Sequence, residues 1–265
     1  MIEQIILGII QGIAEWLPVS SEGLIVLVKT NFFGGATENF DALIQNVLSL
    51  HLGTFFAALI YFRRDIKILL GAIFHFSKCE KETQKLFLFL FIVTFISGVL
   101  GFLLIKMFSH VVENAASSTR SINLIVGLLL LVTASLNLKA NKGGQREAKD
   151  LNGMDSLLLG LSQTLSVLPG LSRSGLTVSA LLLRNFNKTQ ALRISFLMSL
   201  PIVLAGNIVL NLKDFLFNPE IAVGIIFAFI FGLATIHLFI KLAEKVNFGY
   251  FLVLFAFLMI LSVFI

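Results

Sequence analysis

Residues 155–183 read DSLLLGLSQTLSVLPGLSRSGLTVSALLL, an apolar stretch that is interrupted near its centre by Pro169, Gly170 and the serines around Arg173. Each arm has only about 10–15 residues, or roughly 15–22 Å of helix, which is too short to cross the core of a bilayer alone. Irregular polar backbone at membrane depth is tolerated only inside protein or beside a cavity. The stretch therefore predicts a re-entrant helix–loop–helix hairpin.

A second stretch, residues 2–29, is broken in the same way by Pro18 and a polar run over residues 20–23. A cleavable signal peptide would need a basic first segment and a small-residue cleavage site, and neither is present. Residues 8–11 match residues 160–163, and residues 20–24 match residues 172–176, both at an offset of 152. We therefore predict an internal repeat.

The composition places the chain in a membrane. Apolar residues make up 57% of the 265 residues and charged residues only 13%, whereas soluble domains carry roughly 25% charge. A soluble enzyme and a disordered protein are both excluded. The single cysteine, Cys79, excludes an internal disulfide framework and a CxxC zinc site. Six further apolar stretches are long enough to span, namely 42–62, 86–106, 120–138, 193–212, 220–240 and 248–265.

These segments predict an all-α integral membrane protein with one membrane domain, residues 1–265. Repeat one (1–139) and repeat two (155–265) each contain a re-entrant hairpin followed by three spans, so six transmembrane helices are expected in total. A hairpin returns to the side it entered and three spans follow it. The second repeat is therefore inverted relative to the first, as in many transporters.

The distribution of basic residues predicts the orientation. Fifteen Lys and Arg residues fall on one side and four on the other, so the first side is cytoplasmic and both termini face outside the cell. The first hairpin then opens outward and the second opens from the cytoplasm. Because the net charge of +5 lies in short loops between apolar runs, it suits anionic membrane lipids rather than nucleic acid. We expect a multi-pass protein of the plasma membrane.

Three ionisable residues, Glu15, Glu22 and Arg173, lie deep in the predicted hairpins. An ionisable group at this depth costs at least a few kcal/mol, which makes each a candidate for function. The planar fork of Arg173 suits a phosphate, and the start of the following helical arm offers backbone N–H groups. Short hydroxyls and a turn glycine complete an anion cradle: Ser172, Ser174, Thr177 and Gly170.

The carboxylates indicate a different role. Beside a phosphate, Glu15 and Glu22 would repel it unless a metal or a proton intervenes, so they are predicted to be Mg²⁺ or Ca²⁺ ligands or a general base. Gln11 lies one helical turn before Glu15 on the same face. Ser20 and Ser21 are candidate nucleophiles or phosphate donors.

Structural roles remain open for the same residues. Arg173 and Glu15 could form a plain buried ion pair, and the serines could cap helices. Glu22 could simply lie favourably at the start of a helical arm. His51, alone in the first predicted span, is more typical of hydrogen-bonded packing than of a ligand.

Two motifs resemble a known family. Residues 11–21, QGIAEWLPVSS, resemble the [E/Q]-x-x-x-E and L-P-V-S-S segments of the undecaprenyl pyrophosphate phosphatases, the bacitracin-resistance (BacA/UppP-type) proteins. Residues 169–177, PGLSRSGLT, match that family's P-G-x-S-R-S-x-x-T segment without a mismatch. Chain length and segment order agree throughout.

The resemblance implies an undecaprenyl-diphosphate phosphatase, a phosphoric anhydride hydrolase that uses a divalent cation. Such enzymes convert the lipid diphosphate to the monophosphate and recycle the carrier for peptidoglycan and other cell-envelope glycan synthesis. By position, Glu15 would be the essential carboxylate with Gln11 as its partner, and Ser21 the hydroxyl near the phosphate. Arg173 would clamp the diphosphate, with Ser172, Ser174 and Thr177 around it.

One position departs from the family pattern. The family continues S-S-x-G-H, whereas Leu24 stands here in place of the histidine. Either Glu22 or His51 takes over its duty, or the protein is divergent; we favour Glu22 because it lies in the hairpin itself. The alternatives are a polyprenyl-phosphate flippase using the same midplane site and a catalytically inactive lipid-phosphate binder. The sequence leaves the oligomeric state open, a homodimer included.

Overall fold

A computed structural model describes residues 1–17, 19–33, 40–115, 119–140, 143–168, 170–210 and 219–263. Pro18 and Pro169, which are predicted to break the two hairpins, lie outside the described residues. Within these ranges the chain is helical and has no strand, apart from an isolated bridge between Arg146 and Phe186. The expectation of an all-α protein is confirmed.

The described chain forms eleven α-helices. Their bounds are α1 Ile2–Ala14, α2 Ser21–Phe32, α3 Phe40–Tyr61, α4 Arg63–His75, α5 Lys81–Ala115, α6 Thr119–Lys139, α7 Gly153–Leu165, α8 Arg173–Leu183, α9 Lys188–Leu210, α10 Pro219–Lys245 and α11 Gly249–Leu261. Two short 3₁₀ turns, Phe76–Lys78 and Ala148–Asp150, lie in the connections.

Helices α1 and α2, and helices α7 and α8, form the two helix–break–helix segments that the sequence predicts. Ser20 caps α2 by accepting from the Gly23 N–H at 3.0 Å, and Ser172 caps α8 by accepting from the Gly175 N–H at 3.1 Å. Gly170 adopts a φ of +97°, and a Cβ there would lie 2.6 Å from the Val126 carbonyl oxygen. The turn before α8 therefore requires glycine.

The helices have the length and surface of a membrane protein. Three of the described helices, α5, α9 and α10, are long and apolar enough to cross a bilayer. Helices α3 and α4 add a fourth candidate if the pair, bent by 88°, counts as one span. The part of α6 from Asn123 onward and helix α11 are apolar but shorter. Large apolar side chains such as Phe91 and Phe95 are 63% and 65% exposed, which suits contact with lipid rather than water.

Helix α4 does not follow from the pattern of apolar stretches. The predicted span 42–62 would be followed by a loop carrying basic charge, whereas the structure places residues 63–67 in a helix. Ile66 and Leu69, three positions apart, pack against the main apolar core, as one face of a helix does. Asp65, one helical turn before Leu69, forms an ion pair with Arg193 of α9. The segment is too charged to resemble a span, and tertiary packing stabilises it.

Glycines bring α1, α10 and α3 into backbone contact. A Cβ on Gly8 would lie 2.3 Å from the Gly224 carbonyl oxygen, and one on Gly53 would lie 2.4 Å from the Ile225 carbonyl oxygen. Small residues at helix interfaces allow such close approach. Helix α10 therefore holds both α1 and α3 closely, and the polar residues of those two helices face each other.

The remaining contacts follow a paired pattern. Helix α1 packs on α10, and helix α7 packs on α5. Helix α3 contacts α9, and α6 contacts α11. Helix α8 lies against α6 and α9. The first arm of each helix–break–helix segment thus packs on a long helix from the other half of the chain.

Candidate active site

The breaks of the two hairpin segments meet inside the helical bundle. The Ser174 hydroxyl donates to the Leu17 carbonyl oxygen at 3.1 Å, which ties the second break to the first. Arg173 is the first residue of α8, and Glu15 follows the end of α1. The Arg173 guanidinium forms an ion pair with one carboxylate oxygen of Glu15, and both side chains are largely buried.

The other carboxylate oxygen of Glu15 has three further neighbours. It accepts hydrogen bonds from Gln11 Nε2 and from the Ser21 hydroxyl, both at 3.0 Å, and it lies 3.4 Å from His51 Nε2. The Gln11 amide also reaches the Thr54 hydroxyl at 3.4 Å. Four side chains therefore converge on Glu15, and they fix the carboxylate in one position.

His51 belongs to this cluster. Its Nδ1 lies 2.8 Å from the Val47 carbonyl oxygen. A carbonyl can only accept, so Nδ1 carries the hydrogen. Nε2 then faces Glu15 at 3.4 Å and Glu22 at 3.9 Å. The packing role that the sequence favours for His51 does not describe this placement, because Nε2 lies between two carboxylates.

The serines divide into two roles. Ser20 and Ser172 cap helices, as the structural alternative proposed, while Ser21 donates to Glu15. A small pocket of about 20 Å³ lies between the two breaks. Its walls are Glu15, Val19, Ser20, Ser21, Glu22, His51, Ser172, Arg173 and Ser174. The starts of α2 and α8 both border it, and the first N–H groups of a helix have no partner within the helix.

Arg173 is held from two more directions. Its Nη1 donates to the Ser195 carbonyl oxygen at 3.4 Å, and the guanidinium lies 5.8 Å from the centre of the Phe196 ring. Phe196 in turn packs edge-on against Trp16. Neither Ser195 nor Phe196 carries a signal in the sequence, because each is an ordinary residue of helix α9.

Four residues singled out in the sequence do not line this pocket, and one of them is Gln11, which donates to Glu15 from outside it. The Thr177 hydroxyl donates to the Arg173 carbonyl oxygen at 2.8 Å and lies 2.7 Å from the Ser195 hydroxyl. Gly170 forms the turn. Leu24 packs against the apolar cluster that contains Leu130.

Comparison with known proteins identifies the family of this chain. The chain matches the sequence model of the family described as "Bacitracin resistance protein BacA" over residues 4–261. The chain belongs to the BacA family. The resemblance predicted from the two motifs is confirmed.

Relatives of this BacA-family protein match it along nearly their whole length. A protein named undecaprenyl-diphosphatase from Methanococcoides burtonii is 41% identical, with 99% of this chain and 98% of that protein aligned. Proteins of the same name from Haloarcula marismortui and Korarchaeum cryptofilum are 37% and 36% identical, each with 92% of this chain and 90% of the relative aligned.

The donor set of this BacA-family site suits a hard divalent cation. In the part of the chain that the structure describes, no three His, Cys, Asp or Glu residues converge in a way that could hold a metal ion by themselves. The carboxylates of Glu15 and Glu22 nevertheless border one pocket. Gln11 does not line this pocket, although its Oε1 atom is buried without a hydrogen-bond partner. Oxygen ligands of this kind, completed by substrate phosphates, are those that Mg²⁺ takes in phosphoryl-transfer sites.

Proposed function

We propose that this protein hydrolyses undecaprenyl diphosphate, or a similar polyprenyl diphosphate, to the monophosphate and inorganic phosphate. The observation that carries the proposal is the meeting of Arg173 and Glu15 from opposite halves of an apolar helical protein. Its BacA-family relatives are named for this activity. The reaction would recycle a lipid carrier for cell-envelope glycan synthesis.

Arg173 is the residue that would bind the terminal phosphate. The guanidinium offers several donors in a planar fork, and phosphate oxygens accept two of them in parallel. The starts of α2 and α8 would add backbone N–H groups, and the helix dipoles favour an anion there. Substrate binding would draw Arg173 away from Glu15, because the phosphate and the Glu15 carboxylate compete for the same guanidinium N–H donors.

Glu15 would then act as the general base. Its Oε2 accepts from the Ser21 hydroxyl at 3.0 Å, so it can take the proton from Ser21 or from a water in that position. The attacking oxygen forms a bond to the terminal phosphorus, and the bond from phosphorus to the bridging oxygen breaks. The bridging oxygen leaves on the lipid monophosphate. If Ser21 attacks, water must then release the phosphate from the serine.

His51 and Glu22 would share the duty of the missing histidine. The hydrogen bond from Nδ1 to the Val47 carbonyl oxygen fixes the ring, which leaves Nε2 to hold or release a proton between the carboxylates. His51 Nε2 lies 3.4 Å from Glu15 and 3.9 Å from Glu22. We therefore assign the duty of the missing histidine to His51, which would relay the proton that Glu15 takes up, and a supporting role to Glu22.

A divalent cation, Mg²⁺ or Ca²⁺, would be held by Glu15 and Glu22. When bound, it would neutralise negative charge on the diphosphate. The wall that Glu15 and Glu22 share in the small pocket supports this proposal.

The membrane arrangement that we propose has six spans, two re-entrant hairpins and an inverted repeat of residues 1–139 and 155–265. The paired contacts of α1 with α10 and of α7 with α5 support it. We propose that the protein lies in the plasma membrane with both termini outside, on the basis of fifteen basic residues on one side and four on the other.

Phosphate release from a long-chain polyprenyl diphosphate by purified protein in detergent tests the function. The assay is run with Mg²⁺, Ca²⁺ or EDTA, and with the variants Arg173→Ala and Glu15→Ala. Arg193→Ala is the matched control, since Arg193 also pairs with a carboxylate, Asp65, but outside the pocket. We expect metal-dependent release that the first two variants lose and that the control retains.

The same preparation distinguishes the alternatives. Folded protein that binds the lipid diphosphate without releasing phosphate would overturn the hydrolase. Movement of a fluorescent polyprenyl phosphate across vesicles by that protein would then identify a flippase that uses the same site. Tight binding with neither activity would identify a lipid-phosphate binder.

A further inference from the structure

Gln163 is the counterpart of Gln11 in the second half of the chain. The two glutamines are separated by the repeat offset of 152, and each follows a glycine by three positions. Position 167, which corresponds to Glu15, is Val167. Gln11 therefore has a carboxylate partner one turn later on its helix, whereas Gln163 has none.

The Gln163 amide is buried and half satisfied. The side chain is 2% exposed, its Nε2 lies 2.9 Å from the Ser97 hydroxyl oxygen, and its Oε1 has no hydrogen-bond partner. The Ser97 hydroxyl donates its one hydrogen to the Val93 carbonyl oxygen at 2.8 Å, so it accepts from Gln163. The Gln163 amide nitrogen carries two hydrogens, and the second can be donated to another acceptor without breaking the contact with Ser97.

Gln163 lines a cavity that adjoins the small pocket. The cavity has a volume of about 120 Å³ and shares the side chains of Glu22, His51 and Arg173 with the pocket. Its remaining wall combines two polar residues with apolar ones: Val26, Val47, Leu48, Ile105, Gln163, Ser166, Val167, Ile202 and Val203. One end of the cavity is thus charged and the rest is mostly apolar.

This division matches the two ends of a prenyl phosphate. The small pocket, at about 20 Å³, does not have room for both phosphates and the start of the lipid. When the terminal phosphate lies against Arg173, the second phosphate and the carbon chain attached to it must continue into neighbouring space. Of the spaces that border Arg173, the larger cavity combines a polar end with apolar walls.

We propose that this cavity binds the lipid-side half of the substrate, namely the phosphate that remains on the lipid and the first isoprene unit. Gln163 donates an amide N–H to that phosphate and acts as a substrate-binding residue, while Val26, Val167 and Ile202 contact the isoprene carbons. This inference rests on the proposed hydrolysis of a polyprenyl diphosphate and specifies how its lipid-side half is bound.

Inhibition by the two products tests the assignment, because each product fills one half of the site. A C15 prenyl diphosphate serves as substrate, and a C15 prenyl monophosphate and inorganic phosphate serve as inhibitors. In Gln163→Leu we expect the inhibition constant for the monophosphate to rise by about tenfold or more, since a hydrogen bond to a charged group is lost. The inhibition constant for inorganic phosphate should stay unchanged.

Two control variants separate binding from packing. Gln4→Leu removes a comparably buried glutamine whose Oε1 is also unpartnered and which lies outside the cavity. Ser97→Ala removes the hydrogen-bond partner of Gln163 and leaves its amide in place. Both should keep the wild-type inhibition constant for the monophosphate. An equal rise in Ser97→Ala would show that Gln163 acts through packing, and an unchanged constant in Gln163→Leu would overturn the assignment.

Direct binding keeps this test independent of the hydrolase assignment. Calorimetric titration of the C15 monophosphate into wild type and Gln163→Leu requires no turnover. If wild type releases no phosphate but Gln163→Leu still binds the C15 monophosphate more weakly, the proposed hydrolysis is overturned and the cavity assignment stands. If Gln163→Leu does not fold, Gln163→Met keeps an unbranched side chain of similar length and removes the amide donor without adding a charge. This second variant should also bind the monophosphate more weakly, and its thermal stability should stay near that of wild type.

Discussion

The Arg173 guanidinium pairs with the Glu15 carboxylate although the two residues are 158 positions apart in the chain. Both side chains are largely buried, so each neutralises a charge that would otherwise be costly in an apolar protein. The pair also keeps the proposed phosphate-binding group and the proposed base in contact before substrate arrives. A bound phosphate would exchange one anionic partner of Arg173 for another.

Replacing Arg173 with lysine should abolish most of the activity while the charge is retained. An ammonium group lacks the planar fork that binds phosphate through two parallel hydrogen bonds. We expect kcat/KM for a polyprenyl diphosphate to fall by about a hundredfold or more. Arg193→Lys, which alters the ion pair with Asp65, should remain within a few-fold of wild type. Similar activities for both variants would show that Arg173 provides only a positive charge.

His51→Asn separates catalysis from packing. The asparagine amide can keep the hydrogen bond to the Val47 carbonyl oxygen, but it has no atom equivalent to Nε2. If His51 transfers a proton, kcat should fall by about 10²-fold or more, with little change in thermal stability. Glu22→Gln should have the smaller effect on kcat. A larger decrease in kcat for Glu22→Gln than for His51→Asn would assign the role of the missing family histidine to Glu22.

Gly53→Ala should destabilise the protein through helix packing. The new Cβ would lie 2.4 Å from the Ile225 carbonyl oxygen and 2.6 Å from the Ala228 Cβ, so α3 and α10 must separate. Overpacking of this kind costs about 1–3 kcal/mol. Gly71→Ala is the control, because nothing lies within 4 Å of a Cβ there. The control should gain stability by about 0.5–1 kcal/mol from helix propensity.

Thermal unfolding in detergent, followed by circular dichroism, measures both glycine variants. The activity of Gly53→Ala should also fall, because His51 and Thr54 lie on the same stretch of α3 and would move with it. Unchanged melting temperatures for both variants would contradict the close contact of α3 with α10.

Asp155 predicts a dependence of stability on pH. Its carboxylate accepts hydrogen bonds from Arg146 at 3.2 and 2.6 Å and from Arg184 Nε at 2.7 Å. Burial opposes the charged form, yet these hydrogen bonds hold the pKa of Asp155 below its ordinary value of 3.8. The pKa is thus lower in the folded state than in the unfolded state. The resulting stabilisation is fully present above the ordinary value and is lost as the pH falls through the folded-state pKa.

Asp155→Asn removes this contribution. The variant should melt below wild type at pH 7, because Arg146 and Arg184 lose their anionic partner. The difference in melting temperature should shrink as the pH is lowered from about 5 toward 2. A difference that stays constant over this range would mean that the charge of Asp155 contributes nothing to stability.

Helix-capping and turn residues made the two helix–break–helix segments predictable from the sequence. Ser20, Ser172 and Gly170 have roles set by the few residues around them, and the structure confirms the breaks there. The association of Glu15 with Arg173 was also within reach, because ionisable residues at membrane depth are few and must find partners.

The contributions of His51 and Thr177 could not be predicted in the same way. His51 lies within a regular apolar helix, and its distance from Glu15 is set by glycine contacts among α1, α10 and α3 that involve distant parts of the chain. Thr177 shares a motif with Arg173, but a helical threonine readily bonds to the carbonyl four residues earlier, and its hydroxyl does so here. Packing between distant parts of the chain sets the position of His51, and a local hydrogen bond sets that of the Thr177 hydroxyl.

The separation of Glu15 from Arg173 also imposes a delay during biosynthesis. A ribosome adds roughly 5–20 residues per second, so the 158 residues between the two take about 8–30 s to make. Throughout that interval the nascent chain holds an acid whose cationic partner has not yet been translated. Because α1 packs on α10, the first helix–break–helix segment can make its final contacts only after the second half of the protein has been synthesised.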